Sequence, residues 1–344
     1  VAFLAAGRSR GAALAALLAA LVLVACGGDA GDGASTTTSG TDARLPERTK
    51  ATLVLDFVPN AVHAGIYRAL AAGYYTDVNV ELRVVEPTST ADTLKLIDAG
   101  RADVGLADAI DIAGQIDAGR PTQAILPIVQ RPLGGIIAAE RRGIRSPRDL
   151  EGRKVGVTGV PSDTAVLETV MRGAGADPRQ AEVITVGFNG VQALEAGKLD
   201  AFTGYWPADG EQLRVDGTPP KVFALDDFGG PAYPGLVAFS TRRRIARDAP
   251  LLRAIVAATV RGYEDTIADP ARSLRDLLAE NPALRRDVAA AQLRAYGPLF
   301  AREGAGFGVF DSDALRAFSA YLVEQDLTRR AIPPDRFATD AFGR

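Results

Sequence analysis

The stretch IDAGRADVGLAD at residues 97–108 returns, in altered letters, as LEAGKLDAFTGY at residues 194–205. Each copy closes an apolar helical segment with Ala-Gly. A basic residue, an apolar residue and an aspartate then lead into an apolar strand. Gly100 and Gly197 supply the left-handed position that stops a helix. A helix turned so abruptly into a strand is the connection of a wound α/β sheet, and its recurrence predicts two lobes of related architecture. Ligands of open α/β sheets bind outside the carboxyl ends of the strands. The two copies therefore deliver Asp108 on one side, and Tyr205 with Trp206 on the other, to such an edge.

The surrounding chain alternates in the same way. Strand-like runs at 51–57, 78–86, 103–108, 124–130, 135–140, 154–159 and 182–187 are separated by helical patterns at 62–73, 89–100 and 164–175. This alternation predicts mainly parallel, doubly wound sheets. From Ile245 the pattern is helical, over 249–269, 270–281, 287–300 and 311–325. Pro270 suits a first helical turn and Asp311 an N-cap.

The ends and the composition bound the function. Hydrophobic residues make up 47% and charged residues 24%, with 39 basic and 42 acidic side chains and a formal charge of −3. No basic stripe is present, which argues against a nucleic-acid partner. Arg8 and Arg10 precede an apolar run at 11–25 that ends at Cys26, the single cysteine. The run has the length of a signal-peptide core and falls short of the roughly 20 residues of a membrane-spanning helix. A buried thiol is the alternative for Cys26, but the polar Gly/Ser/Thr/Asp run after it does not suit a core. Residues 1–26 are expected to be a lipoprotein signal with Cys26 as the lipidated residue, and 27–47 a flexible tether. No other cysteine is left for a disulfide framework, a thiol nucleophile or a cysteine metal cluster.

Four runs, LDFVPNAVHAGIYRALAAGYY (55–75), GRADVGLAD (100–108), GIRSPRDLEGRKVGVTGVPSD (143–163) and AGKLDAFTGYW (196–206), occur in this order. In that order the chain resembles the solute-binding proteins of ABC importers, in particular the group that takes pyrimidine precursors of thiamine. Sulfonate-, taurine- and some riboflavin-binding proteins share the fold, as do the fungal pyrimidine synthases. The resemblance implies a type II periplasmic-binding-protein fold, with two α/β lobes closing on a ligand about a hinge. One lobe would be 48–132 plus 241–344 and the other 133–240, with crossings near 130–135 and 229–235. It implies an ABC permease as partner, a small heteroaromatic ligand, a lipid anchor in the extracytoplasmic membrane face, a monomer, and no cofactor or catalysis. Riboflavin or a sulfonate is the alternative cargo.

The candidate site follows. His63 is the single histidine, in DFVPNAVHAGIY at 56–67. A zinc site would need further nitrogen or sulfur ligands, and no serine stands in a nucleophile-elbow context. His63 is then either satisfied by its neighbours or a neutral contact to a heteroaromatic ligand. Phe57, where relatives carry tryptophan, can stack on a flat ring or sit at a strand end, and Asn60 joins it in the ligand-specific part of the resemblance. Tyr205 and Trp206 would supply the opposing aromatic surface. In TGVPSDTA (158–165), backbone N–H groups with the Ser162 and Thr164 hydroxyls can meet an acceptor. Asp163 either caps the helix or, as the resemblance implies, pairs with an aminopyrimidine edge. The synthases' lysine-bound pyridoxal phosphate lacks an amine here, since no lysine lies between Lys50 and Lys95. Where relatives follow the late aromatic with Trp-Glu, the order here is Trp206-Pro207-Ala208-Asp209.

Overall fold

The computed structural model describes residues 43–302 and 304–342. The expected signal, the lipidated Cys26 and most of the expected tether lie outside the described residues. Ordered packing starts earlier than the end of that tether. Leu45 is buried, and its amide donates to the Val78 carbonyl at 3.1 Å.

Ten strands form two five-stranded sheets. The first is ordered β2-β1-β3-β10-β4, from β1 (Thr49–Val54), β2 (Val80–Val85), β3 (Val104–Asp108), β4 (Thr122–Val129) and β10 (Leu236–Thr241). The second is β7-β6-β8-β5-β9, from β5 (Gly134–Ala139), β6 (Lys154–Val157), β7 (Glu182–Thr185), β8 (Ala201–Tyr205) and β9 (Pro220–Ala224). Four strands of each sheet run parallel, and the fourth in the order runs against them. Those two reversed strands, β5 and β10, are the ones delivered by the crossings between lobes. Neither β9 nor β10 stands out in the periodicity: only the short helix Glu211–Val215 leads into β9, and no α-helix lies between β9 and β10. Since β10 belongs to the first sheet, the second lobe ends near 235, short of the expected 240.

The repeated sequence device occupies equivalent places. Helices Thr90–Asp98 and Gly190–Glu195 end at Gly100 and Gly197, with φ of 67° and 73°. β3 and β8 then enter the third position of their sheets. The two crossings run side by side at the hinge: a Cβ on Gly235 would lie 2.3 Å from the Arg131 carbonyl oxygen. On the first lobe, helices Ala249–Ala268 and Pro270–Glu280 pack over Ala64–Ala71, while Arg286–Tyr296 packs against the turn Ala61–His63 and helix Glu211–Val215. Asp311 accepts amide protons at the helix start it was expected to cap, and Pro270 opens its helix with Asp269 as the cap.

Candidate functional site

A cavity of about 80 Å³ lies between the lobes. Its polar wall comes from carboxyl ends of strands, as the wound topology requires. Asp56, Phe57 and Asn60 follow β1, while Asp108 and Asp111 stand at the end of β3 and in the helix after it. From the other lobe come Thr158, Ser162 and Asp163 after β6, Phe188 after β7, and Thr203, Tyr205 and Asp209 from β8 and its loop. Five of these residues are aspartates, and no lysine or arginine lines the cavity among the described residues. Phe57 and Phe188 meet across the cleft with ring centroids 4.2 Å apart, tilted by 59°.

The carboxylates differ in how they are engaged. Asp163 is fully occupied within its own lobe. Its Oδ2 accepts from the Thr158 hydroxyl (2.7 Å) and from the amides of Gly159 (2.8 Å) and Val160 (3.1 Å), while Oδ1 accepts from the Thr203 hydroxyl (2.7 Å). The helix starts at Pro161, three residues before the expected 164, so Asp163 is its third residue and reaches back to the preceding turn. Thr164 is consequently exposed and off the cavity, whereas Ser162 faces Asp111 of the other lobe. Asp108 caps helix Ala109–Asp117 through Ile110 (2.8 Å) and accepts from the Tyr205 hydroxyl at 3.4 Å.

Asp209 is, with Asp56, the least engaged. Among the described residues it accepts one hydrogen bond, from the Tyr205 amide at 3.0 Å. Gly204 makes room for it, because a Cβ there would stand 2.4 Å from Asp209 Oδ2. Enclosure in the cleft pushes the Asp209 carboxyl up to about 7, with the Tyr205 amide opposing.

His63 lies behind this wall. The imidazole is fully buried, with Nδ1 accepting from the Asn60 amide at 3.2 Å and Nε2 placed 2.9 Å from Asp56 Oδ1. With Nδ1 an acceptor, Nε2 carries the proton and donates it to Asp56. His63 therefore positions Asp56, a cavity residue that sequence reasoning passed over. Asn60 does line the cavity and also caps the turn Ala61–His63. Replacing His63 by Asn, which cannot span this gap, is expected to lower stability by about 1–3 kcal/mol, the cost of stranding buried groups. Ligand affinity should fall less than it does on losing Asp209. Urea unfolding and calorimetry on the same variant check both.

Trp206 is also placed differently from expectation. It opens the π-helical turn Trp206–Gly210, packs between the apolar cores of the two lobes, and does not line the cavity. The Arg131 guanidinium lies 5.6 Å from its ring, at the hinge. Tyr205, one residue earlier, is the aromatic side chain that enters the cleft. Asp56, Asp111, Phe188, Thr203 and Asp209 are among the cavity residues that were not foreseen. Only Asp209 carried a signal, as the acidic residue closing the segment after Trp206.

The family described as NMT1/THI5 like matches residues 60–273, more than half of the chain. The chain belongs to this family. Among relatives, a formylaminopyrimidine-binding protein of Halalkalibacterium halodurans is 29% identical over 76% of this chain and 76% of its own length. A 4-amino-5-hydroxymethyl-2-methylpyrimidine phosphate synthase of Legionella pneumophila is 24% identical over 69% of this chain and 76% of its own. Among solved structures, the alkanesulfonate-binding protein of Xanthomonas axonopodis pv. citri superposes with a TM-score of 0.66 at 18% identity. That match covers 86% of this chain and 99% of the other. The NMT1/THI5-like chain thus has the type II periplasmic-binding-protein fold, with its cavity in the interlobe cleft.

Proposed function

We propose that this protein is the extracytoplasmic solute-binding component of an ABC importer and that it captures an aminopyrimidine precursor of thiamine. The observation that carries this reading is the chemistry of the cleft: five carboxyl groups, two touching phenylalanines and no cation among its described lining residues. Such a wall accepts hydrogen bonds and presents flat apolar surface, so it suits a flat ring rich in N–H donors. Phe57 and Phe188, one from each lobe and in contact with each other, would offer such a ring an apolar wall. Asp209 and Asp56, which accept few bonds from the protein, would take the ring's amino and amide protons. The named relative that binds formylaminopyrimidine supports the same ligand class.

A sulfonate cargo fits poorly, since no arginine or lysine lines the cavity to pair it. The synthase reading, raised by the Legionella relative, is disfavoured by two placements. No lysine lines the cavity, and the lone histidine is walled off behind Asp56. Mass spectrometry of small molecules released from the purified protein tests the proposal. An aminopyrimidine should be found in stoichiometric amount, and an alkanesulfonate or a flavin in that amount would replace it.

The lipid anchor at Cys26 belongs to the same proposal. Replacing Cys26 with Ser is expected to move the protein from the membrane to the soluble fraction without changing ligand affinity. Membrane retention of that variant would remove the anchor from the account. Among the described residues no helix is long and apolar enough to cross a membrane.

A further inference from the structure

Two of the cleft carboxylates both line the cavity and join the lobes. Asp111, on the first lobe, accepts the Ser162 amide at 3.1 Å and the Ser162 hydroxyl at 3.0 Å, both from the second. Asp108, also on the first lobe, accepts the Tyr205 hydroxyl of the second at 3.4 Å. These contacts exist only when the lobes are together. We propose that closure of the cleft is a proton-linked step, in which the Asp108–Asp111 pair takes up a proton as Ser162 and Tyr205 come onto it. The inference rests on reading the cleft as the ligand site.

The geometry gives the reason. Asp108 and Asp111 are three residues apart at the start of one helix, and both are buried in the closed arrangement. Closure brings Asp163 of the second lobe towards them as a further like charge. The other titratable groups nearby are Asp56, which acts on Tyr205, and the phenols of Tyr205, Tyr233 and Tyr321, all of which feel Asp108. Asp226 acts on Tyr233, and Arg172 and Glu168 act on Tyr321. No lysine or arginine lines the cavity to offset the pair.

Burial, then Asp111, pushes the Asp108 carboxyl well above the ordinary range, against the bonds from Ile110 and Tyr205. Burial pushes Asp111 up to about 7, with Asp163 adding to the effect and the two Ser162 bonds opposing it. With the lobes apart these carboxyls would face water and lie near the ordinary value of about 4. A group whose value rises on closure favours the closed form fully below its open-state value. That advantage is lost as pH climbs through its closed-state value. For Asp111 the window runs from about 4 to about 7.

Small-angle X-ray scattering of the ligand-free protein, from about pH 8 to about pH 5, tests this, with circular dichroism confirming the fold at each pH. The radius of gyration should fall as pH falls. One linked proton changes the closed-to-open ratio by up to about tenfold per pH unit inside the window. Asp111→Asn keeps the shape and one acceptor, and it should flatten the pH response. Asp108→Asn is the second variant should the first fold poorly. A radius that ignores pH, or a full response retained in both variants, overturns the inference. Because no ligand is present, failure of the ligand reading appears separately, as a pH response that persists while an aminopyrimidine fails to bind.

Discussion

Asp209→Asn is expected to weaken binding of an aminopyrimidine by about tenfold to a hundredfold while leaving the fold intact. The side chain keeps its size, and its amide oxygen can still accept the Tyr205 N–H that Asp209 accepts at 3.0 Å. Only the charge and one strong acceptor are lost. Hydrogen bonds to a charged group are worth about 1.5–3 kcal/mol, which converts to that range of Kd. The size of the effect follows from how little else engages this carboxylate within the protein. Gly204 makes the same point, since it clears the space that Asp209 Oδ2 occupies. Isothermal titration of both proteins with the same ligand checks the expectation. If affinity is unchanged, Asp209 serves only the local turn.

Asp163→Ala is expected to do the reverse, lowering stability by about 3–4 kcal/mol with a smaller effect on the affinity of the folded protein. Four donors converge on this carboxylate: two hydroxyls and two amides. Removing it strands them at the start of helix Pro161–Gly173 and against β8, where each buried unsatisfied donor costs on the order of 1–3 kcal/mol. Relaxation and water recover part of that sum. A fall in the urea midpoint at unchanged slope would register the loss. A stable Asp163→Ala protein that no longer binds would move the ligand's acceptor from Asp209 to Asp163.

The fold was legible because it rests on local signals. Alternating apolar runs marked eight of the ten strands, and the Ala-Gly stops at 100 and 197 marked the related lobes. Of the remaining two, β9 follows only the short helix Glu211–Val215, and β10 joins the first sheet only through the second crossing. The site was legible in part, for a similar reason. Phe57, Asn60, Asp108, Ser162, Asp163 and Tyr205 sit at strand ends that the sequence located, and all line the cavity. His63, Thr164 and Trp206 stand in the same segments but point elsewhere. A three-residue shift of a helix start decided Thr164, a buried pair with Asp56 decided His63, and the π-helical turn decided Trp206. Phe188 and Asp111 gained their roles only when the lobes met, which no spacing within one segment encodes.

The central claim is that the acidic interlobe cleft binds a donor-rich heterocycle and rejects anions. Calorimetric titration of the ligand-stripped protein with formylaminopyrimidine, and in parallel with an alkanesulfonate, tests it most directly. The account predicts one-to-one saturable binding of the pyrimidine and no measurable heat from the sulfonate. Saturable binding of the sulfonate with none of the pyrimidine would contradict it.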